Sequence, residues 1–231
     1  MPSIQPIIFV TGTDTDVGKT FVSGLLVLRW HANYWKPVQT GLESDQGDSL
    51  TVSQFCESNK AVKWNPKIFK PLIELDKPLC PLDAVKCDPS NKELSLNDFI
   101  LPDETVAAVP LIVEGAGGIF VPLNSKLEVT SDLIKKIIDQ TERPVYIVVV
   151  ARSGLGTLNH TLLTYDHLQM RGLKDHILGC VLNGPENQLN KESLELFGVR
   201  VIAEIPIFEE TSQLKLVLDS IPPFEEVVNE L

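Results

Sequence analysis

The run PVYIVVVA at 144–151 shows no alternation of polar and apolar residues. A strand covered on one face alternates. One that does not is covered on both faces, as inside a parallel sheet with helices above and below it. Shorter apolar or β-branched runs recur at 7–10, 34–38, 110–113, 177–182 and 201–205, and the run above forms a sixth strand at 145–151. Helical patterns lie between them at 18–30, 48–58, 131–141, 157–171, 191–197 and near 213–219. This alternation predicts an α/β fold, a doubly wound and mostly parallel sheet with helices on both faces. Such sheets bind ligands in the loops beyond the carboxyl ends of their strands.

At 231 residues the chain suits one domain spanning 1–231, large enough to bury a sizeable core. A proline-rich stretch at about 60–103 shows no sustained period and reads as an excursion within that domain, partly a lid over a ligand. The net charge of −11 repels phosphate backbones and anionic lipid, so nucleic-acid and membrane binding are not expected. An anionic ligand must therefore be held by a local concentration of donors. No apolar run approaches the roughly 20 residues of a membrane span, and the start MPSIQPIIFVTG lacks the basic lead of a secretory signal. A cytoplasmic location is expected. Cys56, Cys80, Cys87 and Cys180 form no C-x-x-C pair and read as reduced thiols, not as a disulfide or zinc framework.

The first strand runs into TGTDTDVGKTF, and an apolar helix follows. A glycine-bearing loop that ends in Gly-Lys-Thr between a strand and a helix is the phosphate-binding arrangement of P-loop nucleotide enzymes. Backbone amides of the loop and the helix N-terminus favour an anion there. On this reading Thr13, Asp14, Thr15, Asp16, Val17, Gly18, Lys19, Thr20 and Phe21 surround nucleotide phosphates. Lys19 reaches the outer phosphates, and the Thr20 hydroxyl ligates Mg²⁺. The common pattern places its first glycine at 13, where this chain has Thr13; Gly12 comes one residue early. Two aspartates in a phosphate loop need a reason. Asp14 reads as a tie for turn amides, whereas Asp16 either does the same or faces a cation, Mg²⁺ or a substrate amine.

Two further segments carry charge where charge is expensive. In VPLIVEGAGGIFVPL, Glu114 stands at the tip of a buried strand, ahead of Gly115, Gly117 and Gly118. A carboxylate there requires a cation, and beside a phosphate loop Mg²⁺ is the simplest one. In YWKPVQTGLESDQGDS, Lys36 precedes Pro37 at a strand end, with Thr40 beyond. Asp48 reads both as the N-cap of the next helix and as a second metal carboxylate.

Together TGTDTDVGKT, KPVQTG and VEGAGG, with the later ARSGLGTLNHTLLT and VLNG, resemble the dethiobiotin synthetase family, ATP-dependent carboxylases of biotin synthesis. The resemblance spans most of 7–205. It implies a doubly wound homodimer that converts 7,8-diaminopelargonate, CO₂ and MgATP to dethiobiotin, ADP and phosphate through a carbamate and a carbamic–phosphoric anhydride. It further implies that Lys19, Lys36 and Mg²⁺ balance the negative charge of carbamate and phosphoryl groups. Thr15 and Thr40 would donate hydrogen bonds to their oxygens, and Asp16 would face the diamine. Gly117 and Gly118 match a backbone stretch beside the substrate. Gly156, Thr157, Leu158 and Asn159 match the segment that holds the substrate's acid tail from the partner subunit. Asn183 and Pro206 match positions that frame the adenine.

Other nucleotide-binding classes fit less well. The Asn-Lys pairs beginning at 59, 91 and 190 are not followed by the Asp of the guanine-reading N-K-x-D. A partition-type ATPase wants a basic or membrane-binding surface, and a glutamine-dependent amidotransferase wants a second domain. His160 and His167 stand seven apart on one helical pattern, about 10 Å, too far to share a metal.

Overall fold

The computed structural model describes residues 4–88, 90–102, 108–207 and 213–229. β1 (Ile7–Gly12) is buried along its whole length, between β6 (Leu111–Gly118) and β7 (Val145–Arg152). β2 (Asn33–Trp35) and β4 (Ile68–Phe69) continue the sheet beyond β6, and β8 (Ile177–Asn183) and β9 (Val201–Ile205) continue it beyond β7. The order is β4-β2-β6-β1-β7-β8-β9, and every pairing is parallel. From β1 the chain winds first to one side and then to the other, so the loops after β1, β6 and β7 open a crevice at the carboxyl edge.

Period-two alternation sorts the strand side chains onto two cores. Ile8, Val10, Tyr34, Ile112, Val148 and Val150 face α1 (Lys19–Arg29), α2 (Asp48–Ser58), α7 (Leu214–Ser220) and α8 (Phe224–Asn229). Ile7, Phe9, Leu111, Val113, Ile147 and Val149 face α4 (Thr130–Asp139), α5 (Thr157–Met170) and α6 (Gln188–Leu196). This is the expected doubly wound, mostly parallel sheet. No helix among the described residues is long and apolar enough to cross a membrane.

The departures from expectation have local causes. The predicted strand 34–38 is two strands in two sheets. Pro37 has no N–H to continue the ladder, and its carbonyl instead accepts from Leu72 and Ile73. β3 (Val38–Thr40) then pairs with β5 (Ile73–Leu75) in a small separate sheet. Lys36 sits at the break. The strand expected at 110–113 starts at Leu111 and continues to Gly118, because pairing with β1 overrides the poor strand propensity of glycine. Glu114 is therefore inside a strand, not at its tip. The excursion at 60–103, of which 89 and 103 lie outside the described residues, holds β4, β5, α3 (Pro81–Cys87) and a 3₁₀ turn at Leu96–Asp98. Each piece is too short to show a period. Among its described residues none lines the cavity at the phosphate loop, and its β5 pairs with β3.

At the opposite edge, Arg143 is buried and joins three strand beginnings. Its Nε donates to the Gln5 carbonyl at 2.7 Å, and its Nη2 donates to the Pro6 and Val109 carbonyls, each at 3.0 Å. Arg143→Leu removes these charge-assisted bonds and is expected to lower the unfolding free energy by about 2–4 kcal/mol. Urea denaturation measures this. Nucleotide affinity of the folded variant should not change, since the crevice lies at the other edge.

Candidate active site

The loop after β1 folds back tightly. Thr13 donates its N–H to Val150 at 3.0 Å, and Asp14 accepts the Thr15 N–H at 2.7 Å. A Cβ on Gly12 would lie 2.8 Å from the Asp14 carbonyl oxygen, which explains a glycine at 12. Asp14 also lies 3.6 Å from the Arg152 guanidinium, so its charge is turned onto the loop and a neighbouring cation. Asp16 is exposed and has φ of 55°, a conformation that Asp tolerates. Gly18 caps α1 with φ of 91°, and a Cβ there would stand 2.1 Å from Asn183 Nδ2. Only glycine fits. Asn183 in turn donates Nδ2 to the Val17 carbonyl at 3.0 Å, fastening the loop to the end of β8.

Beyond the loop lies a cavity of about 480 Å³. Its walls include Thr15, Asp16, Gly18, Lys19, Thr20, Phe21, Lys36, Thr40, Asp48, Glu114 and Gly117. Five polar side chains converge on one corner. Glu114 is 0 % exposed. Its Oε1 accepts from Lys36 Nζ at 2.9 Å and from Thr20 Oγ1 at 2.9 Å, and its Oε2 accepts from the Tyr34 hydroxyl at 2.8 Å. Lys36 Nζ also pairs with Asp48, whose Oδ1 accepts from Thr20 at 2.8 Å. The Lys19 ammonium is held near the loop by the Asp14 carbonyl at 2.9 Å.

Burial and charge act against each other in this corner. Burial lowers the pKa of Lys19, with the Glu114 charge opposing. Burial pulls Lys36 down as well, but Glu114 and Asp48 outweigh it and hold that ammonium above its ordinary value. Asp48 is pushed up by burial, yet Lys36 prevails and keeps it below its ordinary value. Asp48 is the first residue of α2, not its cap; Gly47 holds the capping position. Its carboxylate is thereby free to face Lys36 and Thr20.

The remaining predicted residues lie elsewhere. Thr13, Asp14 and Gly118 line a second cavity of about 460 Å³ on the other flank of the loop, with Phe120, His160 and His167, and Thr15 borders both cavities. Pro206 lines a third, of about 430 Å³, with Gly184, Glu204 and Leu216. Gly184 directly follows the Asn183 that grips the loop. Gly156 caps α5, and Thr157, Leu158 and Asn159 form its first turn, but none of the four lines these cavities. Tyr34 was missed by sequence reasoning, since a tyrosine in a buried strand reads as core. So were Thr51, Val52 and Phe55, which wall the first cavity from α2.

A divalent cation fits the corner by its donors: two carboxylates and a hydroxyl, all hard oxygens. Among the described residues no group of three or more His, Cys, Asp or Glu converges. A metal here would complete its shell with phosphate oxygens and water, the habit of Mg²⁺.

The parallel sheet, the loop between β1 and α1 and the buried lysine that opens the helix define a P-loop nucleotide-binding protein of the α/β class. A ParA family ATPase from Chlorobium tepidum has this fold, with a TM-score of 0.50 at 11% identity over 94% of this chain and 91% of that one. A family model described as an AAA domain matches residues 7–215. The ATP-dependent dethiobiotin synthetase BioD of Paramagnetospirillum magneticum is 44% identical over 200 residues, 86% of each chain. That of Lawsonia intracellularis is 35% identical over 224 residues, 95% of this chain and 96% of that one. The match to the biotin biosynthesis bifunctional protein BioCD of Bordetella avium, 42% identical, covers 86% of this chain but 39% of that longer one. The chain belongs to the ATP-dependent dethiobiotin synthetase family.

The Asp48 shift has a measurable consequence. A carboxyl whose folded pKa lies below its unfolded value, here 3.8, adds stability that is present above that value and is lost as pH falls through the folded pKa. The stability difference between wild type and Asp48→Asn should be full at pH 7 and shrink below about pH 4. Thermal melts from pH 7 to 3 test this. An equal difference at both ends would remove the Lys36–Asp48 pair from the account.

Proposed function

We propose that this chain carries out the dethiobiotin synthetase reaction, joining CO₂ to 7,8-diaminopelargonate at the expense of ATP, as one domain in the cytoplasm. One observation carries the reading. Two buried ammonium groups, Lys19 from the phosphate loop and Lys36 from the break after β2, face the same cavity, together with the hard-oxygen corner of Thr20, Asp48 and Glu114. Simple nucleotide binding needs the first lysine. A second, held charged and walled by carboxylates, suits a second anion beside the terminal phosphate.

We assign the roles as follows, on the family resemblance and with that geometry in support. Amides of Thr13–Thr20 and the α1 N-terminus take the phosphates, with Phe21 beside them. The base lies toward Asn183 and Pro206. One substrate amine adds to CO₂, forming an N–C bond and losing a proton to give the carbamate. A carbamate oxygen then attacks the γ-phosphorus, and the bond to the bridging oxygen of ADP breaks. The second amine attacks the carbamoyl carbon, closing the urea ring and expelling phosphate. Lys19 and Lys36 supply fixed positive charge for these anions, Thr15 and Thr40 supply hydroxyl donors, and Asp16 accepts from an amine. Gly117 and Gly118 let the substrate approach the backbone. Thr20, Asp48 and Glu114 would hold Mg²⁺, which would supply positive charge against that of the phosphate oxygens.

The substrate's acid tail remains to be held. Gly156, Thr157, Leu158 and Asn159 present an α5 N-terminus away from their own cavity, and exposed Leu155 just before α5, Leu163 and Met170 on it, and Phe120 on the turn after β6 lie nearby in the chain or on the same cavity flank. A second copy of the chain that covers this apolar surface would bring one helix start to the other's substrate.

Phosphate release should require both bicarbonate and 7,8-diaminopelargonate; equal release without them would sink the reading. Lys19→Ala should lower kcat/KM by about 10²–10³-fold. Leu163→Glu should yield monomers by sedimentation and raise KM for the diamine with little change in ATP affinity. A dimer with unaltered KM would remove the partner subunit from the site.

A further inference from the structure

We propose that Tyr34 is a positioning residue for this reaction: its hydroxyl fixes the orientation of the Glu114 carboxylate, so that Oε1 alone is presented to the metal corner. The inference rests on the metal role of Glu114 given above.

Sheet geometry places the two residues together. Tyr34 on β2 pairs in register with Ile112 on β6, and Glu114 lies two residues further on the same face. A diagonal neighbour at that offset is within reach of a long aromatic side chain. Tyr34 is 0 % exposed, so its hydroxyl must bond inside the protein. It donates to Glu114 Oε2 at 2.8 Å and, among the described residues, is the partner of that oxygen. The other oxygen, Oε1, carries both Lys36 and Thr20. The two oxygens are thus divided, one for the sheet and one for the cavity.

Without the phenol, no group among the described residues bonds Oε2 to resist rotation of the carboxylate, whose terminal torsion is broad. The Lys36 ammonium could then draw both oxygens, and the oxygen aimed at Thr20 would turn away. Partners that orient a metal-binding side chain typically change metal affinity by 10–100-fold when removed.

The test uses the full chain loaded with a nonhydrolysable ATP analogue, with free Mn²⁺ followed by electron paramagnetic resonance. Tyr34→Phe, which keeps the ring, should raise the Mn²⁺ dissociation constant roughly tenfold, while metal-free analogue binding stays within about twofold. In a Glu114→Gln background, Tyr34→Phe should add little. A purely structural tyrosine would lower the melting temperature without moving Mn²⁺ affinity, and that result would overturn the proposal. If Glu114→Gln itself leaves Mn²⁺ affinity unchanged, the metal assignment fails and the inference with it. If Glu114→Gln weakens Mn²⁺ binding and Tyr34→Phe does not, only the Tyr34 role fails.

A measurement on the wild-type protein covers a variant that does not fold. The chain has three tyrosines, so a ¹³Cζ-tyrosine label gives three signals, assigned through Tyr146→Phe and Tyr165→Phe. The Tyr34 signal should shift when Mg²⁺ is added to the analogue-loaded protein. A signal that stays still would equally overturn the proposal.

Discussion

A carboxylate with no exposure to water is the constraint around which this crevice is organised. Glu114 could not remain charged inside a parallel sheet unless its oxygens were fully engaged, because an isolated buried ion is strongly disfavoured. Its three partners come from two stretches of chain: Tyr34 on β2 with Lys36 just after it, and Thr20 on α1. Satisfying one charge therefore ties the sheet, the break after β2 and the first turn of the phosphate-loop helix into one arrangement. Removing any partner would leave the others incompletely paired, and such networks respond as units.

The break at Pro37 makes the arrangement possible. Had β2 continued through 38, Lys36 would have been one more ladder residue, its direction dictated by the pleat. Pro37 ends the pairing, β3 leaves for its own small sheet with β5, and the Lys36 side chain is released toward the carboxyl edge. There it meets Asp48, which can reach it because Gly47 takes the capping position of α2 and leaves the Asp48 carboxylate unused by the helix. The local chemistry of a proline and a glycine thus brings two charged side chains together in one corner of the cavity.

Much of this was legible in the sequence, and the part that was not has a common cause. Strand–helix alternation carried the doubly wound sheet, and Gly-Lys-Thr between a strand and a helix placed the loop, since both are local patterns. The charged corner was visible only as expensive residues. Glu114 and Lys36 stood out because charge is rare on buried strands. Tyr34 did not, because a tyrosine on such a strand is ordinary and its role exists only through a diagonal neighbour about 80 positions away in sequence. Strand β6 was read too short for a similar reason: its glycines follow β1 by pairing, not by propensity. The excursion at 60–103 hid its elements because two- and three-residue strands carry no period.

An acidic chain that binds a polyanion faces an opposing field; the cavity's carboxylates Glu114 and Asp48 are paired with Lys36, and the loop's own aspartates stand where water screens them. Asp16 is exposed, and Asp14 is turned onto the Thr15 amide and Arg152. Charges at the surface fade over about 8 Å at physiological salt. The two ammonium groups are buried, where screening is weak and each acts at nearly full strength over short distances. The helix α1 adds its amino-terminal dipole on the same side of the cavity. The net charge of −11 is thus mostly a property of the surface, whereas attraction for phosphate belongs to a few buried atoms. The loop can carry two aspartates for that reason: neither occupies the dry interior where Lys19 and Lys36 act.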